Sequence, residues 1–317
     1  KDFVDKRKVN EFDHLLPLCV KTAYDILNKD EPFFAVIVVE RSETEFFILV
    51  SLNHVVGDGH SFYCVYKMLS KDVTPYSLII ERNFEARDDI MKRIKDEVDL
   101  IFSLGITGNL IYSAMTRKKF KIRTNLLNPD YIQKVKEEYN STKEKQHQSN
   151  TDFISTNDII TSDFYKVSNS TLGVMAVNFR DRLSGLSDEF VGNYEIGLIN
   201  VIGKDIHPES IRKELNKICE LSDNKTIYPG FLKRLRARIG FITNWSGFYH
   251  ELVFDGCEFI FHEPIIDAPS SPTETMIIYK RNKNEIALMT LETKLPIMKR
   301  LEEKGLVMPE SASFKIS

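Results

Sequence analysis

The stretch 33–59 constrains this chain more than any other, because two apolar runs joined by a polar turn end on a histidine and an Asp-Gly pair. The run 32–39 reads as one continuous apolar strand, Arg41-Ser42-Glu43-Thr44 as a turn, and 45–52 as a returning strand rich in aromatic and aliphatic residues. A hairpin over 33–52 therefore delivers His54 at the far end of its second strand. Beyond it, Phe62, Val65, Tyr66 and Leu69 recur at helical spacing, which predicts a helix over 61–71 starting at Ser61. A turn between a strand and a helix can hold an imidazole rigidly and leave it open to a ligand, with Gly57 and Gly59 giving clearance. Taken alone, the same pattern also fits an ordinary solvated histidine.

The rest of the chain alternates helical and strand patterns. A helical stripe over 12–27 is interrupted near Pro17, a short strand is expected over 74–80, and a charged helix over 85–103 carries Ile90, Ile94, Val98 and Ile101 on one face. The apolar segment 104–115 reads as a buried helix or packed loop in preference to a membrane-contacting lid or tunnel wall. The segment 117–123 holds five basic residues interleaved with Phe120 and Ile122, which suits either a solvated strand or a site for the phosphates of a nucleotide-bearing cofactor. A helix starting at Asn128-Pro129-Asp130 runs to about 139, and the polar stretch after it is the clearest linker. The expected division is an N-terminal lobe over 1–140, a crossover over 141–152 and a C-terminal lobe over 153–317. In the second half, helices are expected over 159–165, 208–221, 231–239 and 296–304. Strands are expected over 172–179, 194–202, 241–245, 258–261, 276–280 and 286–291. The fold class is mixed α/β, with no P-loop and no dinucleotide glycine pattern.

A length of 317 residues with 42% apolar content can bury substantial cores, and a net charge of −3 excludes a generally basic nucleic-acid surface. Cys19, Cys64, Cys219 and Cys257 are scattered without paired spacing, which favours reduced thiols over disulfides or zinc, so no metal is expected. No secretory pattern opens the sequence and no apolar run is long enough to cross a bilayer. The expectation is a soluble, cytoplasmic, monomeric protein without a transmembrane segment.

Four pieces then occur in one order. They are His54-Val55-Val56-Gly57-Asp58-Gly59, Ser155-Thr156-Asn157-Asp158, the segment Ala176 to Leu183 followed by Gly192-Asn193, and Thr243-Asn244-Trp245. In this order they resemble the CoA-dependent acyltransferase superfamily, which includes chloramphenicol acetyltransferase, the BAHD acyltransferases and the condensation domains of peptide synthetases. The BAHD-like branch is the nearest in pattern. The resemblance implies two similar lobes, each a mixed sheet with helices, and an active-site tunnel between them. It implies acyl-CoA as co-substrate, a small alcohol or amine as acceptor, and His54 as the general base. It places Asp58 away from the substrate, paired with Arg180 as a brace, and gives the indole N–H of Trp245 to the oxyanion. Gly57, Gly59, Arg180 and Asn193 support this site.

The chemistry agrees with that assignment, since acyl transfer from a thioester needs a base at the acceptor's proton and histidine titrates near neutrality. The sequence departs from the family in two places. Residues Phe254-Asp255-Gly256-Cys257-Glu258-Phe259 keep only fragments of the DFGWG-like loop, and the stretch before His54 is short, which implies that part of the first lobe lies outside this sequence. A condensation-type domain with a carrier-protein-bound donor is the alternative, although Asn53 stands where its doubled motif has a first histidine. A catalytically inactive binding protein with this fold is the third reading.

Overall fold

The computed structural model describes residues 15–26, 28–116, 120–146, 153–203, 205–219, 228–266 and 272–309. The chain divides into two compact units. The first comprises Lys1–Arg82, Ser187–Tyr194 and His250–Ala268, and the second Asn83–Leu186, Glu195–Tyr249 and Pro269–Ser317.

The first unit is built on the expected hairpin. Strands β1 (Phe34–Glu40) and β2 (Phe46–Leu52) pair antiparallel in the register Phe34↔Leu52 to Glu40↔Phe46. An unbroken apolar run suits a strand covered on both faces. Among the described residues one face of β1 remains exposed, at Phe34, Val36 and Val38. The stripe over 12–27 forms no continuous helix in its described part. Pro17 sits in a 3-10 turn over Leu16–Leu18, Cys19 is extended, and only α1 (Ala23–Ile26) follows. Helix α2 (Gly59–Lys67) begins two residues before the expected Ser61, because Asp58 is its cap. It stops before 71, where Lys71 N–H donates to the Val253 carbonyl and Val253 N–H to Ser70 Oγ. The expected strand over 74–80 reduces to a single parallel bridge, Ile79↔Phe190, and 258–261 forms no strand. Phe261 instead packs edge-on against Phe47, with ring centroids 6.2 Å apart.

The second unit holds a six-stranded mixed sheet. Its strands are β3 (Lys121–Leu126), β4 (Leu172–Asn178), β5 (Glu195–Val201), β6 (Ile239–Asn244), β7 (Glu274–Lys280) and β8 (Ile286–Glu292), in the order β3-β8-β7-β6-β4-β5. Parallel pairing is confined to β4–β6 and β6–β7. The helices are α3 (Phe84–Arg93), α4 (Lys95–Ile101), α5 (Leu104–Thr116), α6 (Pro129–Gln146), α7 (Thr156–Val167), α8 (Pro208–Cys219), α9 (Phe231–Leu235) and α10 (Ile297–Lys304). The expected helix over 85–103 is thus two helices broken at Ile94, and α9 is shorter than the basic stretch that suggested it.

The expected division at 141–152 differs from the division observed. Strand β3, placed by sequence in the N-terminal lobe, is the edge partner of β8, and Asn128 N–H donates to the Leu306 carbonyl. Such pairings between residues more than 150 positions apart leave no trace in local composition. Helix α6 continues through half of the expected crossover, to Gln146, and 147–152 lie outside the described residues. The sheet packs on α7, whose Phe164 and Tyr165 are fully buried, and Met276, Ile278 and Leu288 complete the core.

Helix α7 starts with a reciprocal capping box. Asp158 N–H donates to Ser155 Oγ at 3.2 Å and Ser155 N–H to Asp158 Oδ2 at 2.7 Å. Ser155→Ala is expected to lower stability by about 0.5–2 kcal/mol, measured by urea unfolding, because it removes one cap and leaves the reciprocal one.

Candidate active site

The His54 turn is shaped by the residue before it. Asn53 is 5% exposed, and its Oδ1 accepts from Val55 N–H at 3.0 Å, an Asx turn reinforced by Val56 N–H donating to the Asn53 carbonyl at 3.1 Å. The same side chain donates through Nδ2 to the Lys21 carbonyl at 2.8 Å, and its N–H donates to the Phe33 carbonyl at 2.8 Å. The turn is therefore tied to both the start of the hairpin and the segment before it, while His54 itself is exposed. Asn53→Ala is expected to cost about 1–3 kcal/mol in chemical unfolding, because it leaves the Val55 N–H and the Lys21 carbonyl without their partner.

Asp58 is 2% exposed, and both of its carboxylate oxygens accept structural bonds in this unit. Its Oδ1 accepts from Ser61 N–H at 3.0 Å and Ser61 Oγ at 2.9 Å, and its Oδ2 from Tyr194 N–H at 2.9 Å. Asp58 N–H donates to the Gly192 carbonyl at 3.1 Å, and Gly192 N–H donates to Ser61 Oγ at 2.9 Å. Asn193 closes the clasp from the other side, donating through Nδ2 to the carbonyls of His54 at 3.0 Å and Val55 at 3.4 Å. Gly192 has φ +130°, a backbone conformation that side-chain-bearing residues rarely adopt, so glycine is favoured there. Gly57 is buried, and a Cβ on it would come within 2.7 Å of Ser61 Cβ. Gly59 opens α2.

A second set of ties fixes α2. His60, nearly buried, approaches Asp188 Oδ1 at 3.1 Å and Cys64 Sγ at 3.7 Å, and Tyr63 hydroxyl lies 3.2 Å from His262 Nε2. Burial, with Glu251 adding to it, pushes the Tyr66 phenol well above its ordinary pKa, so it remains neutral. Cys19, Cys64 and Cys257 are thiols outside any disulfide.

The remaining sequence-selected residues belong to the second unit. Asn157, beside the α7 cap, accepts from Asn244 Nδ2 at 2.9 Å, and Asn244 Oδ1 accepts from Ser246 N–H at 2.9 Å and Ser246 Oγ at 2.7 Å. Two of the four motif pieces therefore meet at the end of β6. Trp245 follows at once, its backbone N–H bonded to the Ile278 carbonyl at 2.8 Å and its side chain only partly buried. Arg180 is 3% exposed directly after β4, and its Nη1 donates to Asn178 Oδ1 at 3.0 Å. Of the basic segment, Lys121 and Arg123 lie exposed on β3, while 117–119 lie outside the described residues.

Sequence reasoning missed Asn53, Ser61, His60 and Asp188 as parts of this arrangement. For two of them a local signal exists. An Asn directly before a turn is an Asx-turn former, and a Ser three residues after an Asp is the N3 partner of an N-cap. Among the described residues no group of three or more His, Cys, Asp or Glu side chains could hold a metal, and no helix is long and apolar enough to cross a membrane.

No family model matches the chain, and no curated protein matches its sequence. Solved structures do match. Vinorine synthase is 13% identical with a TM-score of 0.53, over 87% of this chain and 66% of that one. TRI101 of F. sporotrichioides, solved with coenzyme A and T-2, is 13% identical with a TM-score of 0.54, over 86% and 68%. The EpoB NRPS cyclization-docking bidomain from Sorangium cellulosum is 10% identical with a TM-score of 0.52, over 95% and 66%. The fold is that of the BAHD acyltransferases and condensation-type domains, as the motif order implied. The chain spans 66% of the length of vinorine synthase.

Proposed function

We propose that this protein is an acyltransferase that moves an acyl group from an acyl-CoA thioester to a hydroxyl or amine of a small-molecule acceptor. The observation that carries the reading is an exposed His54 on a turn held by Asn53 and Asn193, next to a buried Asp58 committed to structure, within an acyltransferase fold. His54 takes the acceptor's proton as its oxygen or nitrogen attacks the thioester carbonyl. The tetrahedral intermediate collapses with cleavage of the C–S bond, and the thiolate takes the proton back from His54. The indole N–H of Trp245 is the proposed donor to the oxyanion, in keeping with a side chain that is only partly buried. Arg180 is the proposed partner of Asp58 on the motif resemblance. No covalent enzyme nucleophile and no metal enter the reaction.

A carrier-protein-bound donor is the second reading, favoured by the likeness to the EpoB bidomain. Both are tested by following thiol release from a panel of acyl-CoAs and from an acyl-loaded carrier protein, with pooled alcohols and amines as acceptors. The proposal expects acceptor-dependent release from at least one acyl-CoA. Release from the carrier alone would replace it with the second reading, and no release from either donor would leave an inactive binding protein.

A further inference from the structure

Outside the site, one unexplained feature among the described residues is the solvent face of α5 and α9. Leu104, Ile111, Tyr112 and Met115 recur at spacings of seven, one and three residues and so share one side of α5. Their exposures are 83%, 56%, 65% and 82%, and α5 contains no charged residue in its 13 positions. The opposite side is buried through Ile106 in a cluster with Leu100, Ala237 and Ile239. Helix α9 packs directly on α5 and adds Phe231 and Leu232, 55% and 65% exposed. Buried Asn109 locks the pair. It donates through Nδ2 to the carbonyls of Arg234, Leu235 and Ala237 at 3.1, 2.8 and 2.8 Å, capping the end of α9 from within α5.

We propose that this α5–α9 face is a docking surface for an anionic lipid bilayer. The charge pattern selects that occupant. Residues 228–238 carry Lys233, Arg234, Arg236 and Arg238 and no acidic residue, in a chain whose net charge is −3. Lys233 and Arg236 are exposed in the same segment as Phe231 and Leu232, and the exposed Arg238 donates through Nε to the Asn169 carbonyl. Exposed aliphatic and aromatic groups enter the headgroup boundary while adjacent basic groups meet lipid phosphates. A nucleic acid would use the charges and leave Leu104 and Met115 in water, and a second copy would bring like charges together. The inference stands apart from the acyl-transfer reading.

The test is co-sedimentation of the intact chain with phosphatidylcholine vesicles and with vesicles containing 30% phosphatidylserine. The wild type is expected to partition at least about tenfold more strongly onto the anionic vesicles and to be released by salt. Leu104→Glu/Met115→Glu is expected to abolish the binding. Lys233→Gln/Arg236→Gln is expected to lower it about thirtyfold, at about fivefold per basic residue. These side chains are exposed, and unchanged melting of both variants confirms that folding is intact. Should either variant unfold, the lipid-composition and salt series on the wild type still decides. Equal or absent sedimentation with the two vesicles overturns the proposal, as does binding unaffected by both variants. So does a wild-type dimer that Leu104→Glu/Met115→Glu dissociates, which would assign the face to a second copy.

Discussion

Asp58→Ala is expected to destabilise the protein by about 3–5 kcal/mol in urea unfolding followed by circular dichroism. The carboxylate caps α2 and accepts from Ser61 N–H, Ser61 Oγ and Tyr194 N–H in a site where it is 2% exposed. Loss of the cap alone costs about 0.5–2 kcal/mol, and each charged hydrogen bond removed adds about 1.5–3 kcal/mol less the hydration regained. Asp58→Asn keeps one acceptor oxygen and turns two amide hydrogens toward existing donors, so it is expected to recover only part of the loss. A change below about 1 kcal/mol for Asp58→Ala would contradict the role assigned to this residue. The effect also reaches the His54 turn, since the segment that Asp58 holds at Tyr194 carries Asn193, which bonds to the His54 carbonyl.

His54→Ala is expected to behave in the opposite way. The side chain is exposed, so stability should stay within about 0.5 kcal/mol of the wild type. Acceptor-dependent turnover should fall by about 10²–10⁴-fold, the usual contribution of a positioned general base. The two variants thus separate the parts of one hexapeptide. One lowers stability and activity together, and the other lowers activity alone.

The hairpin, the His54 turn and most strands of the second unit were legible because each is a local pattern of apolar runs and turn residues. The apolar run ending at Leu52 sets where β2 stops, and the polar residues 41–44 set its turn. The start of α2 was misplaced because Ser61 is itself a good N-cap, and only the structure shows its hydroxyl bonded to Asp58 and Gly192. The expected strand at 258–261 is apolar and aromatic, yet it finds no partner strand among the described residues and spends Phe261 on Phe47. The roles of Gly192, Asn193 and Tyr194 depend on bonds spanning more than 130 residues, which spacing alone cannot express. Asn53 was noticed only as a departure from a doubled histidine, whereas its two-ended side chain is what forms the turn.

The most direct test of the central claim is acceptor-dependent release of free CoA from an acyl-CoA, measured side by side for the intact protein and for His54→Ala at matched folding. The account predicts release by the intact protein and a rate at least about a hundredfold lower for the variant. Equal rates in the two would contradict it.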